Sequence, residues 1–262
     1  MKEKIILVRG AGDIATGVIQ KLHRCGFKVV ATEIERPMAV RRTVSLSEAI
    51  YEGNYKVEDV EAILVSDIEE INIAWNLKKV PIFIDPNLEI LNFLKPDVIV
   101  DAIIAKKNLG INKNLCKNTI ALGPGFIAGE DVDIVIETNR GHDLARLIFE
   151  GSASPNTGIP GETCGFSTER VLYAPCDGVI ENYFDICDFV KKNEVISEVN
   201  GIEVKAEIEG VLRGLIRNKS KVKKGMKIGD IEPRTEINCY TISDKARAIG
   251  GSVLEAVIIL LN

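Results

Sequence analysis

Histidine and paired cysteine are what this 262-residue chain most lacks. Its two histidines, His23 and His142, lie far apart, and no two of its six cysteines (Cys25, Cys116, Cys164, Cys176, Cys187, Cys239) stand in CxxC spacing. Neither a zinc site nor a disulfide framework is supported, because both need denser ligand or cysteine spacing. Long uninterrupted apolar runs are absent as well: the longest, "SVLEAVIILL", is broken by Glu255, and "MKEKIILV" carries no apolar signal core. The expectation is a cytoplasmic protein with no membrane contact. A net charge of -5 argues in the same way against nucleic acid as a partner.

What is present is an ordinary globular composition, 46% hydrophobic and 27% charged, on a chain long enough for one large domain or two smaller ones. Strand-like and helix-like stretches alternate through residues 1–150: "KIILV", "IATGVIQKLHRC", "FKVVATEI", "EAILVSD", "IEEINIAWNLKK", "VPIFID", "LEILNFLK" and "DVIVDAII". Short continuous apolar runs between helical periods predict a parallel sheet covered on both faces. "NTIALG" and "DVDIVIET" extend it, and "GHDLARLIFEG" reads as a further helix. The expected fold class is therefore α/β, with a Rossmann-like, doubly wound, mainly parallel sheet over residues 1–150.

Residues 151–169 are rich in Gly, Pro, Ser and Thr and read as linker or binding loop. Residues 170–235 hold many short strand candidates, and "CDGVIENYFDICDFVKKNEVISEV" aligns with "IEGVLRGLIRNKSKVKKGMKIGDI" when the chain is slid so that Gly178 meets Gly210. Two halves of one small β-sandwich explain that repeat, with Asn200-Gly201 as the joining type I′ turn. Residues 236–262 close with an apolar helix opened by Ser243 as N-cap, to be covered by the first domain or by a second subunit in a homodimer.

Four clusters carry candidate chemistry. In "GAGDIA", Gly10 permits a tight turn, Gly12 lets a backbone approach a pyrophosphate, Ala15 takes the third small position, and Glu33 at the end of the next strand is placed to accept from a ribose hydroxyl. The same glycines also suit a close βα turn with no ligand. Asp13 suits the helix start but repels a phosphate there, which makes Arg9 the compensating charge. Arg41 and Arg42 are either a phosphate clamp or a solvated basic pair. Gly123 and Gly125 of "ALGPGF" form a second loop at a strand end, and "ETNRGHD" adds Arg140 as an anion binder. His142 is a candidate acid or base, or a helix-start residue, and Cys164 a candidate nucleophile.

The runs "GAGDIATGV", "ATEIERPMAVRRTVSLSEAIYEG", "ALGPGFIAGEDVDIVIETNRGHDLAR", "NTGIPG", "GDIEPR" and "ISDKARAIGGSVLEAV" together resemble the YqeB family of the selenium-dependent molybdenum hydroxylase system. Its members look like distant relatives of the XdhC and CoxI maturation factors. The resemblance implies an accessory protein in molybdenum cofactor maturation, with a molybdenum hydroxylase as client and molybdopterin dinucleotide or NAD(P) as the nucleotide-containing ligand. The absence of iron-sulfur cysteine spacings agrees that this is not the hydroxylase. The repeat region resembles the lipoyl and biotinyl carrier fold (the barrel-sandwich hybrid), but the joining hairpin has no lysine and Lys205 lies four residues beyond it, so no covalent lipoyl or biotin is expected. Two alternatives stay open: an NAD(P)-dependent oxidoreductase, and a non-catalytic scaffold that docks the hydroxylase.

Overall fold

In a computed structural model, which describes residues 3–262, the chain divides into two compact units, and it crosses between them four times. The first comprises the chain up to Pro37, Ser45–Asn156 and Ile242–Asn262; the second comprises Met38–Val44 and Thr157–Thr241.

The first unit begins β1 (Ile5–Arg9), α1 (Asp13–Arg24), β2 (Lys28–Glu33), α2 (Ala49–Glu52), β3 (Asn54–Val57), β4 (Val60–Val65), α3 (Ile68–Asn76) and β5 (Val80–Ile84). It continues with β6 (Val98–Asp101), β7 (Thr119–Leu122), β8 (Ile134–Ile136) and β9 (Leu147–Ile148). The α1 stretch is helical because Ala15, Val18, Ile19 and Leu22 recur on one buried stripe, with Asp13 in the first turn and Lys21, His23 and Arg24 in the last, where each charge suits the helix dipole. In α3, the Asp67 carboxylate caps the start by accepting from the Glu70 amide at 2.8 Å.

All nine strands form one sheet in the order β3-β4-β5-β2-β1-β6-β7-β8-β9. Both edges are antiparallel, β3 on β4 and β9 on β8, so the sheet is mixed. Helical crossovers stop at β5: a short 3-10 turn, Glu89–Asn92, and irregular loops make the remaining connections up to β9. The alternation of strand and covering helix that a Rossmann-like, doubly wound fold requires is therefore not present, and that expectation is corrected. Two segments explain the difference. "LEILNFLK" opens with Leu88 at φ 62°, outside helical space, and "GHDLARLIFEG" places Ala145 at φ 69°, after which Leu147 and Ile148 pair with β8.

The remaining helix, α4 (Asp244–Leu261), belongs to the first unit. The Ser243 hydroxyl accepts from the Ala246 amide at 3.2 Å and caps it. It lies directly on α1. A Cβ on Gly17 would stand 2.5 Å from the Ala246 carbonyl oxygen, and one on Gly250 would overlap the Gly17 carbonyl and stand 3.0 Å from Lys21 Cγ. Gly17 thus faces Ala246 while Lys21 faces Gly250, so the two helices run in the same direction with their N-termini side by side.

The second unit holds β10 (Val171–Tyr173), β11 (Gly178–Asn182), β12 (Phe189–Val190), β13 (Val195–Val199), β14 (Ile202–Lys205), β15 (Gly210–Leu215), β16 (Lys221–Val222) and β17 (Lys227–Glu232). They make two four-stranded antiparallel sheets, β10-β17-β15-β12 and β14-β13-β11-β16. Advancing the chain by the interval that separates Gly178 from Gly210 maps β10, β11, β12 and β13 onto β14, β15, β16 and β17, each onto the same place in the other sheet. The core repeats likewise: Ile180, Val190, Ile196 and Val199 correspond to Leu212, Val222, Ile228 and Ile231, all buried. Asn200 and Gly201 take φ 50° and 77° at the turn between β13 and β14. Met38–Val44 passes over β15 at Gly214, where a Cβ would lie 2.9 Å from Val40 Cγ1.

Candidate functional site at the C-terminal edge of the large sheet

The glycine loop after β1 is filled by the protein's own side chains. Glu33 Oε2 accepts from the Ala11 amide and Oε1 from the Ile34 amide, both at 2.9 Å. Burial raises the Glu33 pKa, and these two amides oppose the rise. The Ala11 carbonyl accepts from the Ser47 amide at 2.8 Å and the Thr16 hydroxyl at 3.2 Å. Gly10 is pressed against the Ala102 backbone, 3.3 Å from where its Cβ would be, and Ala15 is buried beneath the turn. Glu33 therefore sits on the loop that a dinucleotide pyrophosphate would occupy, and its carboxylate is not directed at a ribose.

Arg9 is likewise committed. Its guanidinium donates to Asp101 Oδ2 at 3.2 Å, the Leu109 carbonyl at 3.1 Å and the Pro86 carbonyl at 3.0 Å. Burial raises the Asp101 pKa, with Arg9 pulling the other way. A cavity of about 190 Å³ opens beside this pair, walled by Arg9, Pro86, Asn87, Leu88, Leu91, Leu109, Gly110 and Leu115.

Gly12 and Asp13 belong to a different group. The N-cap Gly12 supplies no side chain to the α1 amides, and the space where its Cβ would point is open. The first-turn amides of a helix have no intrahelical acceptor. Beside that end, in the first turn of α4, stands half-buried Lys245. Burial lowers its ammonium pKa and Arg140 lowers it further, while Asp13, Glu137 and Asp244 pull it upward. Arg140 and Asp244 form a two-bond pair, both contacts at 2.9 Å.

Glu137, at the end of β8, accepts from the amides of Thr138, Asn139 and Ser154, each at 2.7 Å. Burial pushes its pKa up, but these donors outweigh the effect and hold it below the ordinary carboxylate range. Gly123 faces the Thr138 hydroxyl on the same edge, and Gly125 is required by the Lys107 backbone, 2.5 Å from its missing Cβ. A lysine with a lowered pKa beside fixed carboxylates can bind an anion, exchange a proton or present a free amine.

The structure thus brings Gly12, Asp13, Gly123 and Arg140 to one edge. It also places there Glu137, the acid that opens "ETNRGHD" and is expected on this edge, adds Asp244 and Lys245 to that group, and pairs Arg9 with Asp101. The acid closing "DVIVD" was a legible signal for Asp101; Lys245 has no local signal, because only α1–α4 packing carries it to the edge. Arg41 and Arg42 belong to the second unit, where Arg41 donates to the Thr241 carbonyl at 3.3 Å and Arg42 to the Leu215 carbonyl and Asp185, both at 2.8 Å. These contacts make Arg42 a structural ion pair. His142 is exposed next to Gly141, and Cys164 is exposed in a turn of the second unit. Among the described residues, no cluster of three or more His, Cys, Asp or Glu side chains could hold a metal, and no helix is long and apolar enough to cross a membrane.

Compared with known proteins, the chain is 45% identical over 260 residues, 99% of its length, to the Escherichia coli (strain K12) protein named uncharacterized protein YqeB. It is similar to YqeB over nearly its whole length. It spans about half of that protein, 48% of its length. This match supports the YqeB family expected from the motifs. No family model matches the YqeB-like chain.

Solved structures similar to it include an aspartoacylase family protein from Mesorhizobium loti (9% identical, TM-score 0.29, covering 89% of this chain and 86% of that one). A succinylglutamate desuccinylase/aspartoacylase from Rhodobacter sphaeroides is 11% identical at TM-score 0.28, covering 89% and 87%. A succinylglutamate desuccinylase from a Silicibacter species is 12% identical at 0.25, covering 87% and 84%. None of these is named as a Rossmann protein or a selenium-linked maturation factor; the Rossmann label is withdrawn on the topology of the sheet, and the selenium label is not carried forward. Scores this low carry no argument about its activity.

Proposed function

We propose that the YqeB-like chain is a cytoplasmic accessory protein in the maturation of a molybdenum hydroxylase. It holds a nucleotide-containing ligand, molybdopterin dinucleotide or NAD(P), at the C-terminal edge of the large sheet and serves the hydroxylase as client. The observation that carries the binding site is the close packing of α4 on α1, which brings half-buried Lys245 near Asp13 at the start of α1, where the N-cap Gly12 has no side chain and leaves open space. A helix start receives an anion through its amides and its dipole; with Arg9 tied to Asp101, Lys245 takes over as the cation that offsets Asp13.

A dinucleotide fits this edge only in part. The Ala11 amide is taken by Glu33, so a pyrophosphate is excluded from the tight part of the loop and sits against Gly12 and Lys245. Arg140, tied to Asp244, lowers the Lys245 pKa without itself being the contact. The protein's part is to bind and orient the anionic portion; any redox or metal chemistry belongs to the ligand.

Gly12→Leu tests the reading, because leucine is allowed at φ -70° and enters open space, leaving the fold intact. The expected result, by calorimetric titration with NAD(P), CTP and a molybdopterin dinucleotide, is binding of one ligand to the parent chain and at least about tenfold weaker binding to Gly12→Leu and Lys245→Met, a loss of ~1.4 kcal/mol. Equal affinity in all three proteins refutes the site.

A further inference from the structure

The fold leaves part of the Arg9 guanidinium unused. The side chain is 9% exposed and forms part of the wall of the cavity of about 190 Å³. An arginine carries five N–H donors. Asp101 and the Leu109 carbonyl take both hydrogens of Nη1, and the Pro86 carbonyl takes one of Nη2. Nε–H, also buried, has no acceptor among the described residues. A buried donor without an acceptor carries the full cost of its desolvation, so native proteins leave few of them.

The cavity around it is held open by the fold itself. It lies beyond the carboxyl ends of β1, β5 and β6, strands of the parallel part of the sheet, the side where such sheets take ligands. After β5, the Asp85 carboxylate accepts from the amides of Asn87 at 3.2 Å and Ile90 at 2.8 Å. After β6, Asn108 Oδ1 accepts from the amides of Gly110 and Ile111, both at 2.9 Å. Walls fixed in this way lose little freedom when a ligand enters. The wall also selects. A cavity of ~150 Å³ takes benzene, so this one takes roughly seven or eight heavy atoms. Leu88, Leu91, Leu109 and Leu115 call for an apolar body. Arg9 alone among the lining residues is charged, and Asp101 matches that charge at 3.2 Å, so an anion would be buried there without a free counter-charge.

We propose that this cavity binds a small neutral carboxamide with a short aliphatic body. The carboxamide oxygen accepts from Arg9 Nε–H. Its NH₂ group donates to the Pro86 or the Leu109 carbonyl, each of which has a second lone pair beside the one Arg9 uses. The apolar body lies against the leucines. A carboxylate of the same shape supplies no donor for those carbonyls and brings an unmatched charge. The cavity shares no residue with the Gly12 and Lys245 group, so the two sites stand or fall separately.

The test titrates the full chain with isovaleramide and with isovalerate, its isosteric anion, near neutral pH and follows the Arg9 Nε–H resonance in proton–nitrogen correlation spectra. The expected result is a saturable shift of that resonance with isovaleramide and at least about tenfold weaker binding of isovalerate. Leu115→Trp, which enlarges a half-buried wall residue, should abolish the isovaleramide shift while its circular dichroism matches the parent chain. An Arg9 resonance unmoved by isovaleramide overturns the proposal, as does isovalerate binding as tightly as the amide, or a folded Leu115→Trp that binds isovaleramide as the parent does.

Discussion

Adjacent glycines in α4 should respond oppositely to the same substitution. A Cβ on Gly250 would overlap the Gly17 carbonyl of α1 and stand 2.9 Å from its carbon, whereas one on Gly251 meets nothing within 4 Å. Nonbonded carbons sit near ~3.5 Å, so alanine at 250 must push the helices apart by at least about 0.6 Å. Forced overpacking costs ~1–3 kcal/mol. Both alanines gain the same ~0.5–1 kcal/mol from removing a helix-interior glycine, so their difference isolates the crossing. Gly251→Ala is expected to stabilise the chain and Gly250→Ala to destabilise it. At ~2–4 °C per kcal/mol, their melting temperatures should differ by roughly 2–12 °C, read by circular dichroism at 222 nm. Gly250→Ala should also weaken ligand binding, since α4 carries Lys245. Melting temperatures within about 1 °C of each other would refute the close crossing, because the crossing predicts a gap at least about twice as large.

Lys245 and Glu33 make opposite marks on the pH profile. Because burial lowers the Lys245 pKa, the folded chain gives up that proton before the unfolded chain does; its penalty is present at neutral pH and fades as pH rises toward the ordinary 10.5. Lys245→Met should flatten that alkaline rise in urea midpoint, and an amine-directed reagent should label Lys245 at lower pH than the exposed lysines. Glu33 has a raised pKa, so the folded chain holds its proton longer; its contribution is present below the ordinary 4.5 and is lost as pH rises through the folded value. Glu33→Gln keeps an acceptor for one amide and should remove that acidic-side decline, whereas an unchanged profile would contradict the burial of the carboxylate.

Local patterns revealed the start of the large sheet well. "KIILVRGAGDIATGVIQKLHR" is β1, its turn and α1, because an uninterrupted apolar run and a 3.6-residue stripe are short-range signals. The later crossovers were misread, since "LEILNFLK" and "GHDLARLIFEG" carry helical composition but leave helical space at Leu88 and Ala145. Composition does not report φ. Met38–Val44 was equally opaque: nothing in "MAVRRTV" says that these residues join a unit completed far downstream, and so Arg41 and Arg42 were assigned to the wrong neighbours. At the site, Gly12 and Arg140 were visible as loop residues at strand ends. Lys245 was not, because its role arises from helix packing across more than 200 residues.

The placement of α4 also sets an order of events during synthesis. The sheet and α1 leave the ribosome long before Ile242–Asn262, yet α1 keeps bare glycine backbone at Gly17 for a partner that is made more than 200 residues later. Until then the nascent chain displays an uncovered, closely packable helix surface, a feature that invites association with other chains or with chaperones. Assembly of this sheet edge is therefore timed by translation, with Lys245 arriving only after the second unit has been written.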